Sequence, residues 1–215
     1  MKYNNIIFDL DGTLLNTLDD LRDSVNFALR SFSFPERSTD EIRRFVGNGV
    51  ARLIHLSVPE GTDESTEAEC LSTFKSHYKS NMKNKTAPYS GIIELLKELR
   101  SLGVKIAVVS NKFEPAVVEL CEDYFPSLID AAVGQTDTRR KKPEPDGVFY
   151  AMELLGADPK STVYIGDSEV DVLTAEKSGL PCIGVSWGFR SRAVLESGGA
   201  DYIADSTDDI LSIIK

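Results

Sequence analysis

The chain has 215 residues, 41% of them hydrophobic and 27% charged, the balance of a globular protein with room for one substantial core and a smaller appended unit. A formal charge of −10 opposes non-specific attachment to nucleic acid or to an anionic membrane, so an anionic substrate would need positive charge gathered locally to receive it. No apolar run approaches the roughly 20 residues that cross a bilayer, and Met1-Lys2-Tyr3 leads straight into an apolar segment without a leader pattern, so the expected location is cytoplasmic. Cys70, Cys121 and Cys182 are odd in number and lack C-x-x-C spacing, which points to neither a disulfide framework nor a zinc site.

In chain order, the first predicted strand, Asn5 to Phe8, runs directly into Asp9-Leu10-Asp11-Gly12-Thr13. Side chains alternate along extended backbone, so Asp9 and Asp11 are expected to share a side while Leu10 points inward and Gly12 permits the turn. Two carboxylates about 4 Å apart repel by roughly 4 kcal/mol at an effective dielectric near 20, so such a pair calls for a cation, a shared proton, or both. Taken alone, the string fits equally well a turn built from ordinary turn residues.

From Leu15 to Ala87 no strand pattern occurs, but helical patterns cover Leu18 to Phe32, Thr39 to Arg44, Val50 to Leu56 and Glu67 to Lys83. This reads as a helical insert, residues 15–87, hinged near Gly12 and near Pro88 and Gly91 and expected to hang over the acid pair. Its most suggestive segment is Val46-Gly47-Asn48-Gly49-Val50 at a helix start, with Arg52 one turn in. Glycine-flanked amides there can form an anion nest, and they fit a plain helix entry equally well. Arg43, Arg44, Arg52 and His55 read as surface or packing residues.

Beyond the insert, strands are predicted at Val104 to Val109, Ala131 to Val133, Val163 to Gly166 and Ile183 to Val185. Helices are expected at Gly91 to Ser101, Glu114 to Asp123, Asp146 to Leu155, Asp171 to Ser178, Ser191 to Ser197 and Thr207 to Ile214. This alternation predicts an α/β fold, a Rossmann-like parallel sheet covered by helices. Ligands of such sheets bind outside the carboxyl ends of the strands. Three polar signals fall there: Ser110-Asn111, Lys142-Pro143 and Asp167-Ser168-Glu169-Val170-Asp171. Singly, Ser110 reads as a cap, Lys142 as part of a solvated basic run from Arg139, and the two acids as a helix start. Together with Asp9 and Asp11 they would converge on one crevice. Trp187 reads as a packed aromatic.

In this order, Asp9-x-Asp11-Gly12-Thr13, Ser110, Lys142 before Pro143, and Gly166-Asp167-Ser168-x-x-Asp171 resemble the four motifs of the haloacid dehalogenase superfamily. The resemblance implies a catalytic core of residues 1–14 and 88–215, a helical cap of residues 15–87, and Mg²⁺-dependent phosphoryl transfer through an aspartyl-phosphate. By resemblance, Asp9 is the nucleophile and Asp11 the general acid and base, while Ser110 and Lys142 neutralise the phosphoryl oxygens. The metal set is the Asp9 carboxylate, the Asp11 carbonyl and Asp167, with Asp171 direct or through water. Gly47, Asn48 and Gly49, together with Ser186-Trp187-Gly188-Phe189-Arg190, resemble the phosphoglycolate phosphatase subgroup.

The expected partner is therefore a small phosphorylated metabolite, most of all 2-phosphoglycolate. The substrate-binding set is Thr13, Gly47, Asn48, Gly49 and Asn111, with no nucleic acid or membrane partner and the chain a monomer or homodimer. Asp11 argues against a hydrolytic dehalogenase, whose pattern lacks the second acid. Arg52, where a phosphonate hydrolase would want a Schiff-base lysine, argues against that activity. A sugar phosphomutase, a pyrophosphatase and a non-catalytic phosphate-binding regulator stay open.

Overall fold

The structure is a computed structural model that describes residues 1–215. From the N-terminus, β1 (Asn5–Phe8) and the two-residue β2 (Leu15–Asn16) precede helices α1 (Leu18–Ser31), α2 (Thr39–Phe45), α3 (Val50–Ser57) and α4 (Glu64–Asn81). After β3 (Ala87–Pro88) come α5 (Ile92–Ser101), β4 (Lys105–Phe113), α6 (Glu114–Tyr124), β5 (Ala131–Gln135) and α7 (Asp146–Leu155). The chain closes with β6 (Thr162–Gly166), α8 (Glu169–Ser178), β7 (Cys182–Val185), α9 (Arg192–Gly198), β8 (Tyr202–Ala204) and α10 (Thr207–Ile214). Two compact units result, Met1–Leu15 with Pro88–Lys215, and Asn16–Ala87.

The first unit holds the expected parallel sheet, in the order β5-β4-β1-β6-β7-β8. β1 is central: Ile6 lies beside Ile106 of β4 on one edge and Val163 of β6 on the other. All four β1 residues are buried, which explains its unbroken apolar reading, because helices cover both faces of a parallel sheet. The chain leaves β1 for β4 on one side and reaches β6 on the other, so the strand order switches at β1 and opens a crevice at its carboxyl end. Ile7, Val109, Val133, Val148, Met152 and Tyr164 belong to one core cluster that fixes α7 to the sheet. All three cysteines are buried and free.

The strand reading needs correction at β4, at β8 and at the borders of the insert, where Leu15–Asn16 and Ala87–Pro88 pair as a two-stranded sheet too short to show a period of two. β4 runs to Phe113 instead of stopping at Val109, because pairing with β5 shifts register after Val109 and resumes where Phe113 meets Gln135. Ser110, Asn111 and Lys112 are therefore strand residues. β8 has no counterpart in the sequence reading; three residues on a sheet edge are too few to show a period of two.

Between its two border strand residues the second unit is helical, with α1 packed on α2 and α4, and α3 on α2 and α4. Leu21, Val25, Leu29, Ile42, Ile54 and Phe74 form its buried face. Ser38 and Glu41 make a capping box at α2, and the Asp63 carboxylate caps α4 by accepting the Thr66 N–H. No helix of either unit is long and apolar enough to cross a membrane.

Candidate active site

Three adjacent strands deliver the site. Asp9 follows β1, Ser110 lies on β4, and Asp167 follows β6, so the sheet register alone places them side by side at its carboxyl edge. The Asp9 N–H donates to the Ile165 carbonyl at 2.8 Å, carrying the β1–β6 ladder one residue past the strand and holding the Asp9 backbone in place.

Asp167 sits between two glycine backbones. A Cβ on Gly12 would lie 2.4 Å from an Asp167 carboxylate oxygen, and one on Gly188 would lie 2.3 Å from the Asp167 Cβ. Gly12 also has φ +91°, a region that glycine enters without steric cost. The Thr13 hydroxyl donates to Asp167 Oδ1 at 3.3 Å and the Phe189 N–H to Oδ2 at 2.6 Å. Thr13, expected at the substrate, is thus fully buried against Asp167, and the Trp187 indole N–H is packed on its carbonyl at 3.1 Å.

Asp171 is placed by a local signal. It is the third residue of α8 and completes a capping box with Ser168, its Oδ2 accepting the Ser168 N–H at 3.1 Å and hydroxyl at 2.6 Å. Its Oδ1 accepts from Lys142 Nζ at 2.7 Å and from the Tyr164 hydroxyl at 3.0 Å. Gly166 makes room, since a Cβ there would meet Asp171 at 2.3 Å.

Lys142 is 5% exposed, so the reading of a solvated basic run does not extend to it. Its ammonium donates to Asp9 Oδ1 at 2.7 Å and to the Tyr164 oxygen at 3.1 Å as well as to Asp171. Asn111 clasps the Lys142 backbone: its amide donates to the Lys142 carbonyl at 3.1 Å and its oxygen accepts the Lys142 N–H at 2.7 Å.

Carboxylate oxygens of Asp9, Asp167 and Asp171 all come within 4.8 Å of one another. Burial pushes the Asp9 carboxyl up to about 7 against the pull of Lys142, with Asp171 adding to the rise. Burial, then Asp171 and Asp9, holds Asp167 well above the usual carboxylate range. For Lys142 burial works the other way, but facing Asp171 and Asp9 outweighs it and keeps the ammonium charged well beyond its ordinary range.

The Asp11 charge adds to the rise of Asp9, but its carboxylate is not one of the three clustered acids. Its Oδ1 accepts from Lys112 Nζ at 2.9 Å, and its Oδ2 lies 3.5 Å from the Ser110 hydroxyl, so the acid cluster forms from Asp9, Asp167 and Asp171 without its side chain. Three contributors had gone unread. Tyr164 was hidden in an apolar strand, and the Phe189 N–H is a backbone group with no side-chain signature. Lys112 shares a strand face with Ser110 only because β4 continues past Val109, an extension set by its pairing with β5.

The family model described as haloacid dehalogenase-like hydrolase matches residues 6–185, a span that contains Asp9, Asp11, Ser110, Lys112, Lys142, Asp167 and Asp171. The chain belongs to the haloacid dehalogenase-like hydrolase family. Within it, the chain is 33% identical over 195 residues to a phosphoglycolate phosphatase of Mesorhizobium japonicum, covering 89% of this chain and 86% of that protein. It is 28% identical to the pyrophosphatase PpaX of Bacillus mycoides, across 100% of this chain and 98% of the other. A crystal structure from Lactobacillus delbrueckii subsp. bulgaricus, of a protein proposed to be a phosphoglycolate phosphatase, superposes with a TM-score of 0.95 at 36% identity, covering 100% of this chain and 99% of that one. The protein is a hydrolase of this family with a buried aspartate cluster at the switch point of its sheet.

The remaining predicted residues lie in the helical unit. Gly47 and Gly49 have φ of +125° and +83°, and Gly49 is the N-cap of α3, so the turn there requires glycine whether or not it meets a ligand.

Proposed function

We propose that this hydrolase is a Mg²⁺-dependent phosphomonoesterase that passes a phosphoryl group through Asp9, with 2-phosphoglycolate as its preferred substrate. The observation that carries the proposal is the meeting of Asp9, Asp167 and Asp171 within 4.8 Å, with Lys142 bonded to two of them. Oxygen donors alone, buried and gathered from separate strand ends, fit a small hard cation. Asp9, Asp167 and the Asp11 backbone carbonyl would hold it. Asp171 would reach it only through water, because an ionised carboxylate offers about four lone-pair sites and Asp171 already meets Lys142, Tyr164 and both Ser168 donors. When bound, the ion offsets the charge that clustered carboxylates and a phosphate dianion bring together.

The residues then divide the work. Asp9 attacks phosphorus in line, forming a bond to its carboxylate oxygen as the bond to the leaving oxygen breaks. Asp11 hands that oxygen a proton and afterwards takes one from the water that attacks the aspartyl-phosphate, which regenerates Asp9 and releases phosphate. Lys142 and the Ser110 hydroxyl donate to the phosphoryl oxygens in flight. Tyr164 and Asn111 act through Lys142: one fixes its head, the other its backbone. The helical unit is the cap of this enzyme on our reading, and Gly47, Asn48 and Gly49 are its contribution to substrate choice.

Support for 2-phosphoglycolate comes from the relatives carrying that activity in their names. The PpaX relative favours pyrophosphate as a second reading, and the two substrates share an anionic leaving group. The deciding experiment is a panel of 2-phosphoglycolate, pyrophosphate, sugar phosphates and an aryl phosphate, ranked by kcat/KM with and without Mg²⁺. The expected order puts 2-phosphoglycolate first and every activity under Mg²⁺. A sugar phosphate or pyrophosphate in first place overturns the substrate, and stoichiometric labelling without turnover overturns the enzyme.

A further inference from the structure

The chemistry above leaves one buried cation unused. Lys112 lies on β4 two residues past Ser110, is 7% exposed, and places its Nζ 2.9 Å from Asp11 Oδ1. Its own N–H donates to the Ser110 hydroxyl at 3.1 Å, so its backbone is tied to a residue of the phosphoryl site. Taking an ammonium out of water costs several kcal/mol, and a buried ion pair often only breaks even against apolar replacements. Stability alone is therefore a weak reason to place a lysine there.

Position supplies a better one. An acid that protonates a leaving oxygen must lie within a hydrogen bond of it, about 3 Å. Lys112 touches that same acid, so negative charge two or three bonds beyond the leaving oxygen falls within reach of its flexible four-carbon stem. In 2-phosphoglycolate the carboxylate is attached to the carbon that bears the leaving oxygen. In pyrophosphate the leaving group is itself an anion. Lys142, bound to Asp9 and Asp171, stands at the nucleophile. The two lysines thus serve the two ends of the bond that breaks.

We infer that Lys112 reads negative charge on the leaving group and so restricts this enzyme to phosphate esters and anhydrides whose leaving group is an anion. The inference rests on the phosphatase reading above and names a discriminating residue inside the sheet unit.

The test compares 2-phosphoglycolate with ethyl phosphate, the same ester with a methyl group in place of the carboxylate, using full-length protein and Mg²⁺. Wild type should prefer the acid. Lys112→Met should lower the ratio of the two kcat/KM values roughly 10- to 100-fold, the loss expected when a hydrogen bond to a charged group is removed. Lys112→Arg should keep most of the preference. The ratio is read within one preparation, so partial unfolding of a variant cancels, and Lys112→Gln provides a second neutral replacement. If Lys112 merely neutralises Asp11, both substrates slow together and the ratio stands, which overturns the inference alone. A wild-type enzyme that hydrolyses ethyl phosphate as readily as 2-phosphoglycolate and pyrophosphate overturns the substrate reading with it.

Discussion

In the helical unit Asp20 is 2% exposed, and its carboxylate accepts the Lys85 N–H at 3.0 Å to either oxygen and the Thr86 N–H at 2.9 Å. In the sheet unit Asp9, Asp167 and Asp171 are buried to a similar degree, but there the acids face one another with Lys142 among them. Asp20 uses backbone donors to hold the first turn of α1 against the segment that enters β3, an arrangement complete in itself. The sheet cluster is incomplete: like charges in a low-dielectric site are costly until a cation or protons join them. One residue type thus closes its own hydrogen bonds in one unit and gathers as uncompensated charge in the other, where we propose it serves chemistry, and the surrounding donors tell them apart.

The comparison breaks most sharply at Asp9. Asp9→Asn keeps the side-chain volume and removes both the proposed nucleophile and one member of a repelling cluster. Turnover of an aryl phosphate with Mg²⁺ should fall by roughly 10⁴-fold or more, while the thermal midpoint of the metal-free protein holds or rises. Wild-type-like hydrolysis by this variant would remove Asp9 from the mechanism.

Asp20→Ala probes the other side. It strands the buried Thr86 N–H and the part-buried Lys85 N–H and should lower the stability of the protein by about 1–3 kcal/mol in urea unfolding. The kcat of the folded enzyme on the aryl phosphate should be unchanged. A large loss of kcat without loss of stability would mean that Asp20 also belongs to the chemistry.

What could be read from the sequence divides along the same line. Asp9, Asp11 and Asp167 stood out because they follow apolar strands, whose ends a parallel sheet gathers at one edge, whereas Ser110, Lys142 and Asp171 stood out only through the order of the motifs they belong to. The alternation of strands and helices gave the sheet. Partners were not legible. Asp11 meets Lys112 because β4 runs past Val109, and that extension comes from pairing with β5, a long-range contact with no local signature. Asn111 looked like a ligand-facing polar residue but clasps Lys142, thirty-one positions later, through two hydrogen bonds that only the tertiary fold brings together. Asp20 was one acid in a helical run, and its burial follows from the return of the chain at Lys85 and Thr86.

The smallest effect concerns pH. With a chelator present, burial holds the Asp9 carboxyl up to about 7 and Asp167 well above the usual range, so the folded protein keeps protons that the unfolded chain has released. Their contribution to stability is therefore fullest at acid pH, below the ordinary carboxylate range, and is lost as pH rises through about 7. Surface acids such as Asp23 and Asp146, whose ion pairs and hydrogen bonds lower them, work in the opposite sense but finish titrating below this window. Urea midpoints of the metal-free protein should thus decline between about pH 5 and pH 7. The decline should be shallower in Asp9→Asn, which lacks one of the two groups, and Mg²⁺ should oppose it in wild type by favouring the charged carboxylates. Equal slopes in the two proteins would show that Asp9 is solvated like a surface acid, and the contrast with Asp20 would then rest on Asp167 alone.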